Sequence, residues 1–334
     1  MDATTVESGG RHPPAGLTRW FLLTGNRLLV TLIILLGIGA AFGVVGLFGL
    51  ATVTTPSRVM WYLNGTVNGL LTLVPIAVGV NQIVLSHEFG SIQDLYQRRT
   101  DVTDFRERVE DRTDTAVNSP CASVFFGTLL SSVSDTADAL RRGRDTPRSD
   151  DQIPDEVETV AEAIVDEANR ANDELEATRS SMLRTLLVML DYDDSTQFYE
   201  VRRLRSTVPD RDDETTEQLQ AITNLFVEID AARQFLKTVV VERQLARLSR
   251  LLIYTGIPAV TIAAIGIFTY RDITGLTLSH AALMGVAGTL LVTTLVPLAV
   301  LSAYILRVAT IARQTAAYGP FVPESDEELT SAVD

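Results

Sequence analysis

Stepping by fours and threes from position 64 gives Asn64, Asn68, Thr72, Pro75, Gly79, Gln82 and Ser86, with Asn81 beside Gln82. Each is polar, small or proline, and the residues between them are mostly Leu, Val and Ile. This spacing collects the set on one face of a helix. Amide side chains are costly in hydrocarbon without partners, so they turn toward protein or water. Two roles fit the stripe. One is interhelical hydrogen bonding, at roughly 0.5–2 kcal/mol per contact. The other is the wall of a polar path, and a stripe this long exceeds what helix adhesion needs.

A second patterned set is basic. Arg243, Arg247 and Arg250 are spaced by four and three, so they share a face. They stand just before an apolar run, where such a stripe binds anionic lipid headgroups or pairs with acids of neighbouring helices. Other chemistry is missing from the sequence. The pair His87-Glu88 lacks the second histidine of a His-Glu-x-x-His zinc site, since residue 91 is Ser. His12, His87 and His280 are the only histidines, too few and too scattered for a metal cluster. There is no phosphate-binding loop and no nucleophile elbow. No catalytic motif, metal or cofactor is therefore expected.

The elements that must position these residues are apolar helices. Four runs carry no Asp, Glu, Lys or Arg: Leu28–Thr55, Val59–His87, Leu251–Tyr270 and Ile273–Leu306. About 20 apolar residues cross a ~30 Å hydrocarbon core. Spans are expected near 28–51, 61–85, 250–269 and 282–306. Arg19, Arg27, Arg98, Arg99, Arg106, Arg108, Arg307 and Arg313 flank them on one side, while the short connections hold only Arg58 and Arg271. Basic residues stay in the cytoplasm, so both termini and the central segment are expected there. The first run is longer than the apolar core of a signal peptide and reads as a retained anchor.

The first span carries Gly39 and Gly43, a spacing that allows close helix approach. The second and fourth share a phrase, TLVPIAV at 72–78 and TLVPLAV at 294–300. Either an ancient duplication or the small vocabulary of membrane helices accounts for it. In both cases Pro75 and Pro297 free a carbonyl one turn earlier and bend the helix. No span contains an acidic residue, which counts against a proton- or sodium-coupled transporter.

The charge sits between the two pairs of runs. Glu88–Ser249 holds 34 acidic and 20 basic residues, which accounts for the whole net charge of −14. Arginine outnumbers lysine 27 to 1. That composition suits a salt-loving archaeon, whose surface carboxylates hold water in concentrated salt, and it disfavours nucleic acid as a partner. The segment 150–176 has eleven acids, which read as a solvated helix face. Helices are expected over 91–112, after Pro120, from Asp155 to about Leu190, and over 195–205. A last helix begins near 212–214 and runs on into the third span. Ile92, Leu95, Val102, Phe105 and Val109 would form the apolar stripe of the first of these. Cys121, the single cysteine, reads as a small buried hydrophobe.

The stretches VNQIVLSHEFGS (80–91) and ARQFLKTVVVERQLARLSRLLIY (232–254) resemble a group of uncharacterised haloarchaeal membrane proteins. That resemblance brings no activity with it. The layout is also similar to bestrophin-type anion channels, in which the second helix lines the pore, though no residue motif is shared.

The fold class expected is an all-α integral membrane protein of the cell membrane, two transmembrane hairpins separated by a cytoplasmic, acidic, helical domain. Its parts are a tail over 1–27, a hairpin over 28–86, the helical domain over 87–249, a second hairpin over 250–306 and a tail over 307–334. Two functions are expected. One is an oligomeric channel or passive transport protein, a homo-oligomer in the lipid bilayer. The other is a membrane-anchored interaction or sensory module with a cytoplasmic protein partner.

Overall fold

The computed structural model describes residues 16–50, 52–73, 75, 76, 79, 82, 91–142, 155–177, 181–207 and 213–316. Among these residues there are helices and turns but no strand. A short helical stretch, Gly16–Arg19, runs into a π-helical turn, Trp20–Thr24. Among the described residues nine longer helices follow: α1 (Arg27–Leu47), α2 (Pro56–Leu71), α3 (Ile92–Arg112), α4 (Ala122–Arg142), α5 (Asp155–Ala177), α6 (Met182–Asp191), α7 (Asp194–Thr207), α8 (Asp213–Gly275) and α9 (His280–Ala316). Contacts divide the chain into two units. One takes residues up to Phe89 with Glu242–Gln314, and the other takes Gly90–Val241. The division at Glu242 falls inside the uninterrupted 63-residue helix α8.

In the first unit, α1 and stretches of α8 and α9 are long and apolar enough to cross a membrane. The expected span over 61–85 falls partly outside the described residues; α2 is its described first part. Helix α1 starts on Asn26, whose side chain accepts from the Leu28 amide at 3.0 Å. It stops at Leu47, short of the expected residue 51. Gly49 takes a φ of +69°, the Leu50 amide reaches back to Val45 O at 3.1 Å and the Gly49 amide to Gly46 O at 3.0 Å. These are the paired bonds of a left-handed helix stop, which glycine adopts without a Cβ penalty.

Two apolar clusters hold this unit. Val53, Tyr270, Leu283 and Ala287 form one, fixed by a Tyr270 hydroxyl that donates to Val53 O at 2.8 Å. Leu248, Leu252, Val300, Leu301 and Tyr304 form the other. Glycines let the helices close between them. A Cβ on Gly39 would lie 3.3 Å from Val292, and one on Gly266 would lie 2.8 Å from Leu63. At Gly43 a Cβ would meet nothing within 4 Å, whereas at Gly46 it would collide with Met284 at 2.0 Å. Pro258 and Pro297 lie inside α8 and α9.

In the second unit, α4 packs chiefly on α5. Helix α5 buries Val157, Ala161, Ile164, Ala168, Ala171 and Leu175, a three-and-four spacing that leaves its acids on the other faces. The single helix expected from Asp155 to Leu190 is two helices. Ser181 has extended backbone (φ −136°, ψ 104°) and its hydroxyl accepts from the Arg184 amide, so a new helix is capped there. Serine competes for the backbone in this way more readily than it continues a helix. On α3 the expected apolar stripe is only half used: Val109 is buried, Phe105 half-buried, and Ile92, Leu95 and Val102 are exposed.

Candidate functional site

Helix α2 packs by one edge. Leu63 and Leu70 are buried, Leu63 against Gly266 of α8, and the Tyr62 hydroxyl stands 3.5 Å from that of Thr294 on α9. Leu73, just past the helix, lies against the Tyr304 cluster. With that edge turned inward, the opposite one faces out. Asn64, Asn68, Thr72, Pro75 and Gln82 are all exposed and Gly79 is half-buried. The Thr72 hydroxyl donates to Gly69 O at 2.6 Å. Asn81 and Ser86 lie outside the described residues. The described part of the polar stripe therefore forms an outer surface of the single chain.

The threonines of α9 do not serve the carbonyl that Pro297 frees at Thr293. Thr293 donates to Thr289 O at 2.7 Å, and Thr294 to Leu290 O and Leu291 O at 2.8 and 3.1 Å. Between α1 and α9 runs an open groove of about 630 Å³ floored by Gly39, Gly43, Gly46 and Gly285. On α8, Arg243, Arg247 and Arg250 are exposed.

A second constellation was not singled out from the sequence. Arg27 and Arg307 are 3% and 6% exposed. Arg27 donates through Nε to Gly25 O at 3.2 Å and through Nη1 to Ala303 O at 3.1 Å. Arg307 donates through Nη2 to the same Gly25 carbonyl. Tyr304 is buried within electrostatic reach of both and of Arg247. Among the described residues, two donors, Arg27 Nη2 and Arg307 Nε, are buried without an acceptor. The sequence did carry a signal. Arg27 immediately precedes the first uncharged run and Arg307 immediately follows the last. That they meet follows only from the fold.

Among the described residues, no group of three or more His, Cys, Asp or Glu is placed to hold a metal ion. Residues 2–333 match a family of unknown function, DUF7972. No curated protein and no solved structure matches the chain.

Proposed function

We propose, for a chain that belongs to the DUF7972 family of unknown function, a role as an oligomeric membrane channel or passive transport protein whose path is walled by the polar stripe of α2. The observation that carries this reading is the direction in which the stripe faces. Leu63 and Leu70 turn inward while Asn64, Asn68, Thr72 and Gln82 turn outward from a unit whose helices are otherwise apolar. In a bilayer, amides on an outer face need partners that lipid cannot supply. Copies of the chain arranged about a common axis meet this need, because the stripes then face one another and enclose water. The apolar outer surface of α1, with Leu28, Leu29, Leu32, Ile33 and Leu36 exposed, suits lipid. The four-span layout, the cytoplasmic central domain and the cell-membrane location belong to the same proposal. So does a salt-rich setting, supported by the acidic, arginine-dominated composition.

The test is ion flux through the purified protein in liposomes, comparing wild type with Asn68→Leu and Gln82→Leu while following assembly by cross-linking. Flux altered in both variants with assembly retained is the expected result. A strictly monomeric protein, or no flux across a broad set of salts and potentials, rejects it. A second reading, an anchored interaction module, draws on the exposed Ile92, Leu95 and Tyr96 of α3. It expects function to survive an apolar stripe and a cytoplasmic protein partner to be lost when Ile92 and Tyr96 become polar.

A further inference from the structure

We infer that Arg27 and Arg307 form a binding site for a phosphate-type oxyanion at the edge of the apolar helices. Two guanidiniums share one carbonyl, Gly25 O, so their heads adjoin. No carboxylate among the described residues pairs with either one. Among the described residues their acceptors are Ala303 O and Gly25 O, and both are neutral. Burial of a cation costs several kcal/mol after relaxation, and a second like charge alongside adds to that cost. A carbonyl dipole offsets part of one charge, not two. The orphaned Arg27 Nη2 and Arg307 Nε add their own desolvation penalty.

One ligand removes all three costs. An oxyanion supplies negative charge to both arginines and has an oxygen for each unfilled donor. Guanidinium forks match phosphate oxygens in pairs, which a single halide ion does not provide. The start of α1 adds its helix dipole in the favourable sense. Tyr304 and the exposed Arg247 complete the rim. Phosphate reaches this place from either of two sources. A phospholipid headgroup does so because the pair brackets the apolar runs, at the level where headgroups lie. Free inorganic phosphate does so from solution. The Gly25 amide donates to Trp20 O at 2.6 Å and the Trp20 ring packs on Gly25, so Trp20 adjoins the residue whose carbonyl both arginines share and its fluorescence reports on the site.

The full chain is purified in an uncharged detergent. Its thermal midpoint and Trp fluorescence are followed while inorganic phosphate, solubilised phosphatidylglycerol, or chloride at matched ionic strength is added. Wild type is expected to be protected by phosphatidylglycerol. Protection by inorganic phosphate as well assigns the site to the phosphate group alone; protection by the lipid only assigns it to the bilayer. Arg27→Gln and Arg307→Gln are each expected to weaken binding roughly tenfold or more, the loss of a charge-assisted hydrogen bond. Arg271→Gln, exposed in the last turns of α8, is expected to bind like wild type. Should a glutamine variant fail to fold, Arg27→Lys keeps the charge, loses the fork, and is expected to weaken binding in the same sense. Protection no greater than that by chloride, or unchanged binding in both arginine variants, overturns the site.

Discussion

The two units treat buried charge in opposite ways. In the unit Gly90–Val241, Arg233 is 1% exposed and holds Asp194 through one hydrogen bond at 3.0 Å and an ion-pair contact at 2.8 Å. Burial pushes the Asp194 carboxyl up, against the pull of that guanidinium. Glu228, also buried, receives Arg112 at 3.3 Å and Arg108 at 3.7 Å. Among the described residues, the other unit surrounds its buried Arg27 and Arg307 with carbonyl acceptors alone. One unit meets buried charge with carboxylates; the other meets it, among the described residues, with neutral dipoles.

The sharpest way to break this comparison is to remove one charge from each unit. Asp194→Asn strands Arg233 in the interior and is expected to cost about 3–5 kcal/mol in chemical denaturation. Arg307→Gln in ligand-free detergent is expected to stay within about 1 kcal/mol of wild type, because it removes a buried cation that lacks a counter-charge. Equal losses in the two variants would mean that Arg307 is as fully compensated as Arg233, and the contrast would collapse.

A smaller effect separates the units by how their helices meet. Both units are held by apolar side chains, and in the first, glycines also let the backbones approach. Gly266→Val drives a side chain into Leu63 and is expected to cost about 1–3 kcal/mol. Gly43→Val meets open space and is expected to change thermal stability little, apart from valine's weaker helix propensity. A groove occupied by another copy would reverse the second expectation, since Gly43 would then be a contact between chains.

These contrasts mark what was legible in the sequence. Period and composition were enough for the helices, because a three-and-four apolar spacing such as Val157 to Leu175 admits no other packed element. They were also enough to gather Asn64, Asn68, Thr72 and Gln82 on one face. They did not say whether that face turns inward, which is decided by Leu63 fitting the space over Gly266 some two hundred residues later. The break at Ser181 was missed because the apolar rhythm continues across it, and only the local hydroxyl-to-amide bond favours a stop. Arg27 and Arg307 were readable as ends of apolar runs. Their meeting over one carbonyl depends on how the start of α1 comes against α9, and no local pattern encodes it.

The weakest form of the contrast lies at the surface of the second unit, where α3 begins. The Asp94 amide donates to the Ser91 hydroxyl at 3.2 Å, and the Ser91 amide donates to the Asp94 carboxylate at 2.9 Å. The two residues thus satisfy each other's orphan donors. Those bonds, first from the side chain and then from the backbone of Ser91, hold the Asp94 carboxyl below its ordinary value. A lowered folded value means that the unfolded chain binds the proton more tightly. The stabilisation is therefore whole above the ordinary aspartate range, about 3.9, and lost as the pH falls through the folded value. Ser91→Ala is expected to cost about 1 kcal/mol near neutral pH by loss of the cap. Asp94→Asn keeps an acceptor but no charge, so it is expected to remove the acid-dependent part of the loss and leave most of the cap. Hydrogen exchange in the first turn of α3, measured at neutral and acid pH, separates the two. Equal acid sensitivity in wild type and Asp94→Asn would show that the carboxylate contributes nothing there, and that even the exposed charges of this unit are not all put to use.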